Sequence, residues 1–109
     1  MHPLLWLLLA IGSEVVATTS LKLSDGFTRP LPVVVVVLGY GVSFYALSIS
    51  LRSFPLGVVY AVWSGVGTAA IVLIGLFVFS EVLDMLKLAG IGLIIVGVAL
   101  LNGSGAAAP

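Results

Sequence analysis

Four apolar runs alternate with three short polar breaks along this chain. The breaks fall at residues 24–32, with Asp25-Gly26, Arg29 and two prolines, at 52–55, and at 81–85. Glycine, proline and charge cluster in them, as turns require. Each run approaches the roughly 20 residues that a helix rising 1.5 Å per residue needs to cross about 30 Å of hydrocarbon. The pattern predicts helices over about 4–21, 32–51, 56–80 and 86–103, within one membrane domain, 1–109.

A transmembrane β-barrel would show strands of alternating polarity. Runs such as 33–37 and 91–101 show none. The valines of the second run would favour a strand in water, but in lipid an apolar run of this length satisfies its backbone only as a helix. Residues 4–11 resemble the apolar core of a cleaved secretion signal, with small residues after it. Met1, His2 and Pro3 bring no Lys or Arg, and the cleavage zone would hold Glu14, so a retained span is the preferred reading. The Gly-Ser-Gly-Ala tail after Asn102 reads as a frayed terminus.

Composition agrees: 61% of the 109 residues are hydrophobic and 7% charged, far outside the range of soluble domains. The fold class expected is an all-α integral membrane protein. Without a long loop there is no soluble domain for nucleotide binding, catalysis or nucleic-acid recognition, so the chemistry must lie inside the bilayer. The absence of cysteine excludes disulfides and thiolate metal sites, and a lone histidine, His2, makes a metal centre or cofactor unexpected. Lys22, Arg29 and Lys87 stand on one side of the membrane against Arg52 on the other. So weak a bias permits insertion in both orientations.

Seven of the eight charged residues lie in or beside the breaks, and Glu14 alone does not. A carboxylate at mid-span costs about 2.5–3.5 kcal/mol on insertion scales, so an acid there is a functional candidate by default. Lys22 is about 12 Å along the axis and about 80° around it, too far for an in-helix ion pair. The charge must then be met by a proton or a ligand cation. The bland alternative is a permanently protonated acid bonded to a neighbouring helix. Leu7, Ala10, Ile11, Ala17 and Thr18 share the face of Glu14. This stripe is mostly small. It either leaves room for a bulky ligand or lets another helix approach closely.

Tyr40, Ser43, Phe44 and Leu47 share one face of the second span, and Tyr60 and Trp63 one face of the third. Aromatic faces attract cations, including quaternary ammonium ions that no hydrogen-bond acceptor can grip. Trp6, at a span end, fits an interfacial belt instead. Residues 64–67, Ser-Gly-Val-Gly, offer the third span either a kink or a close helix contact. In the fourth, Gly90, Ile94 and Gly97 share a face and no polar side chain precedes Asn102, which suits packing or dimerisation.

Ser13-Glu14-Val15, Ala17-Thr18-Thr19, Lys22, Gly26-Phe27-Thr28-Arg29, Tyr40-Gly41-Val42-Ser43-Phe44, the run from Val59 to Gly67, and Gly90 through Gly97-Val98 together resemble the small multidrug resistance family. The likeness runs from residue 1 to about 103, and its order and spacing are specific. It implies an antiparallel homodimer in a bacterial inner membrane, with the first three helices of each copy around a shared chamber and the fourth helices joining the pair. By that resemblance Glu14 is the shared site for protons and organic cations. Trp63, Tyr60 and Tyr40 line it, Ser43 and Thr18 are polar neighbours, and Gly65 and Gly67 form a hinge. The proton gradient is the implied energy source.

Within the family, the chain resembles exporters of quaternary and aromatic cations rather than of guanidinium, since Ala10 and Ala17 are small and Val15-Val16-Ala17 lacks the tryptophan typical of the latter. Gly12-Ser13 departs from the apolar pair expected before the glutamate. A guanidinium or polyamine exporter and a non-transporting subunit of a hetero-oligomer are the alternatives.

Overall fold

The computed structural model describes residues 2–103, so the expected frayed tail lies outside the described residues from 104 onward. Four helices follow one another: α1, Pro3–Leu23; α2, Pro30–Ser50; α3, Leu56–Val78; and α4, Met85–Leu101. Among the described residues there is no strand. Three helices, α1 to α3, are long and apolar enough to cross a membrane, while α4, at 17 residues, is at the short end. Two compact units emerge, Met1–Arg52 with α1 and α2, and Ser53–Pro109 with α3 and α4.

In the first unit, each helix begins on a proline whose missing N–H costs nothing at a helix start. Pro3 opens α1 behind His2, whose Nδ1 accepts the Leu4 N–H at 3.0 Å. Pro30 opens α2 two residues before the position expected from the sequence. Between them Asp25, Gly26 and Phe27 all take left-handed φ values of 48°, 68° and 66°. Buried Ser24 holds that turn, its Oγ donating to Leu21 O at 2.7 Å and accepting the Phe27 N–H at 3.1 Å.

The antiparallel α1–α2 hairpin packs tightly. Ala10 and Ala17 of α1 and Ser43 and Ala46 of α2 have 0% exposure. A Cβ built on Gly39 would lie 2.8 Å from Ala17 Cβ and 3.1 Å from Ser13 O, so the backbones meet where only glycine fits. At the other end of the hairpin Trp6 sits edge-on to Tyr45, with centroids 6.1 Å apart.

In the second unit, α3 runs unbroken through residues 64–67. It stops at Val78, two residues before the expected end. Ser80 turns to φ 56° and the Glu81 N–H comes back to Gly75 O at 2.9 Å, while the Glu81 side chain folds over the space a Gly75 Cβ would occupy. Asp84 caps α4, accepting the Lys87 N–H at 2.9 Å, and Lys87 Nζ donates to Val82 O.

Candidate functional site

Hydroxyls inside an apolar helix usually bond the carbonyl one turn back, which removes their polarity from lipid. Ser13, Thr19, Ser64 and Thr68 do so, to Leu9, Val15, Tyr60 and Ser64. Two hydroxyls near Glu14 do something else. Thr18 Oγ1 donates to Glu14 Oε1 at 2.6 Å and also lies 2.6 Å from the Tyr40 hydroxyl of α2. Ser43, fully buried, donates across the hairpin to Ala10 O at 2.7 Å. In an α-helix that carbonyl also accepts the Glu14 amide. The acid is thus tied to α2 through its side chain by Tyr40 and Thr18, and through its backbone by Ser43.

Thr18 has one hydroxyl proton. Given to Glu14, it leaves the Thr18 oxygen to accept, so Tyr40 is the donor in the second bond. Among the described residues, Glu14 has these hydroxyls near it and no cationic partner. Its side chain is half-buried.

The remaining predicted residues divide by role. Leu7, Ala10, Ile11 and Ala17 are buried. Of the two readings left open for this stripe, close packing is the one seen in the chain, since Ala17 meets the Gly39 backbone and Ala10 meets Ser43. Ser43 is likewise turned into the helix contact. Tyr40 stacks on Phe44 with centroids 6.2 Å apart at 22°, and Phe44 is more than half exposed. Leu47, a turn further, is half-buried.

In the second unit, Tyr60 and Trp63 meet edge to face, with centroids 5.9 Å apart at 67°, and Tyr60 is 63% exposed. Gly65 and Gly67 are buried. A Cβ on Gly65 would lie 2.8 Å from Ile94 Cγ2 and 2.9 Å from Val98 Cγ2, so this glycine serves a close α3–α4 contact. Ile94 therefore packs inside the unit. A Cβ on Gly90 or Gly97 would meet nothing within 4 Å among the described residues. Sequence reasoning did not find the direct Thr18–Tyr40 bond, the Ser43–Ala10 bond or the Gly39 contact. The i, i+4 spacing of Glu14 and Thr18 was the one available signal.

The geometry is that of an acid held by hydroxyls, with a separate aromatic pair, inside membrane-length helices. Comparison with known sequences decides what it belongs to. The family profile described as Small Multidrug Resistance protein matches residues 2–94. The chain belongs to the small multidrug resistance family. It is 50% identical over 98 residues to the multidrug transporter PA4990 of Pseudomonas aeruginosa, covering 90% of this chain and 89% of that one. Against the quaternary ammonium compound-resistance protein QacE of Escherichia coli the identity is 49% over 98 residues, 90% of this chain and 89% of the relative. Against the multidrug resistance protein EbrB of Bacillus licheniformis it is 48% over 102 residues, 94% and 86% respectively. Membership makes the chain a multi-pass bacterial membrane protein of a drug-resistance transporter family, and not an enzyme.

Proposed function

We propose that this protein is a proton-coupled antiporter exporting hydrophobic and quaternary organic cations, with Glu14 binding either a proton or the cation. The observation that carries the reading is the Glu14 carboxylate itself. It lies mid-helix in a membrane span, supported by hydroxyl donors and with no cation beside it among the described residues. Such a group is stable when a proton or a ligand supplies the missing positive charge.

Competition for one acid couples the two fluxes. A proton entering down its gradient displaces the cation on one side, and the cation displaces the proton on the other. Each unit carries an aromatic pair suited to quaternary ammonium, Tyr40 and Phe44 on α2 in the first and Tyr60 and Trp63 on α3 in the second. The names of the relatives, which concern multidrug transport and quaternary ammonium resistance, support that substrate class. The unit of function is an antiparallel pair of copies, in keeping with the weak charge bias and with the open surface at Gly90 and Gly97.

The test is proton release from purified protein in weakly buffered solution on addition of tetraphenylphosphonium, wild type against Glu14→Gln. Wild type should release protons and the variant none. Proton release by Glu14→Gln equal to wild type would sink the assignment. Cross-linking of two differently tagged copies tests the pairing, which is wrong if only a second, different chain is captured.

A further inference from the structure

We propose that the reverse side of the α1–α2 hairpin, turned away from Glu14, holds the end of a phospholipid acyl chain in an apolar groove floored by Gly12, Ser13 and Gly39.

The two sides of the hairpin carry different chemistry. At about 100° per residue, Leu9, Gly12 and Val16 lie about 140–160° around α1 from Glu14. On α2, Val35, Leu38, Gly39 and Val42 follow the i, i+3, i+4, i+7 spacing of one stripe. These two stripes enclose a groove of about 640 Å³. Its floor is made of residues with little or no side chain. A Cβ on Gly12 would meet nothing within 4 Å, so the space over that residue is open, while Gly39 closes the groove from below where it meets Ser13 and Ala17. The walls are Leu8, Leu9 and Val16 on one side and Leu38 and Val42 on the other, each 41–63% exposed.

The lining points to the occupant. It holds no acid, no cation and no aromatic ring, so it has nothing to recognise an organic cation. Its one side-chain hydroxyl, on Ser13, is committed to Leu9 O at 2.7 Å and leaves a polar partner no donor. Ser13 is also the middle residue of the 21 in α1, and Gly39 lies one residue from the middle of the 21 in α2. The floor is therefore at the centre of the hydrocarbon, where acyl chains end and headgroups do not reach.

A second helix is a poor fit. Close helix pairs in lipid need small residues repeated one turn apart so that backbones can approach. One turn either side of Gly12 stand Leu8 and Val16, both exposed. A helix about 10–12 Å across rides on those walls, whereas one hydrocarbon chain passes between them along the roughly 12 Å from Leu8 to Val16. Gly12-Ser13 is the pair that departs from the apolar residues expected before the glutamate, and a larger side chain at position 12 would fill the same space.

The experiment places the full chain in phosphatidylcholine nanodiscs containing a small fraction of phosphatidylcholine with a photoreactive diazirine near the methyl end of one acyl chain. After illumination, adducts are mapped by mass spectrometry. They should concentrate on residues 8–16 and 35–42, several-fold over Leu93 and Val96 of α4, which are equally exposed to lipid. A diazirine beside the headgroup should give no such excess. Gly12→Leu extends a side chain into the open groove and should abolish the excess, whereas Gly41→Leu, at another glycine with nothing within 4 Å, should keep it. Gly12→Ala fills less and should fall between; if Gly12→Leu does not purify as a homogeneous species, a wild-type excess in Gly12→Ala overturns the proposal. Labelling spread evenly over the exposed residues of all four helices, or an excess that Gly12→Leu leaves intact, overturns it as well. The chain has no cysteine, so Gly12→Cys reports a protein neighbour cleanly. Efficient disulfide-linked pairing of two Gly12→Cys copies would make the groove an interface between copies and reject the acyl chain.

Discussion

Replacing Gly39 with alanine tests whether the close approach of α1 and α2 is what assembles the acid site. The added Cβ would lie 2.8 Å from Ala17 Cβ, 3.1 Å from Ser13 O and 3.3 Å from Ala17 Cα. Carbon contacts are ordinarily about 3.5–4.0 Å, so the helices must part by about 1 Å. No rotamer change relieves this, because two of the three obstacles are backbone and the third is fixed to it. The crowded turn flanks Glu14, and Tyr40 is the next residue on α2. A bond of 2.6 Å stretched by that amount reaches a distance at which it is no longer a hydrogen bond. Overpacking of this kind costs about 1–3 kcal/mol, or about a 5- to 150-fold shift in a folding or assembly equilibrium. Gly41→Ala and Gly12→Ala are the controls, since a Cβ there meets nothing within 4 Å. Heat-induced loss of the homogeneous species, followed in one detergent, should place Gly39→Ala well below both. Its tetraphenylphosphonium affinity should also fall, because the Thr18–Tyr40 bond across the hairpin is lost. A Gly39→Ala protein as heat-resistant as Gly41→Ala, with wild-type affinity, would refute the reasoning.

Three further outcomes follow from the same contacts. Ser43→Ala removes the buried bond to Ala10 O and should cost about 0.5–1.5 kcal/mol in thermal or denaturant stability while leaving cation affinity nearly unchanged. A large affinity loss at unchanged stability would instead make Ser43 a ligand contact. Gly65→Ala meets methyl tips of Ile94 and Val98 rather than backbone, so it should cost less than Gly39→Ala, and adding Ile94→Ala should recover part of that loss in a double-mutant cycle. Trp63→Ala should weaken tetraphenylphosphonium binding by about 2- to 30-fold in calorimetry, with Trp63→Phe in between, as a cation–π contribution of about 0.5–2 kcal/mol requires.

The features legible in the sequence are those that one helix decides alone. Lipid leaves an apolar run of 20 residues no other way to satisfy its backbone, so four runs gave four helices. The errors at their ends are instructive in the same terms. Pro30 reads as loop because proline breaks helices, yet at the first helical position it begins one. The end of α3 depends on Ser80 turning to φ 56° and Glu81 returning to Gly75, a contact that hydropathy does not encode.

The small-residue stripe beside Glu14 shows where periodicity runs out. Ala10 and Ala17 were equally compatible with an open space for ligand and with a close helix contact, because α1 carries only half of the information. The other half is on α2, where Gly39 and Ser43 fill the space against them. The same holds for Thr18. Its face was predictable, but whether its proton would go to its own backbone or to the acid depends on a tyrosine 22 positions away. A single carboxylate in a membrane span announces itself by its cost. The groups that hold it are ordinary hydroxyls, recognisable only when their bonds leave their own helical turn.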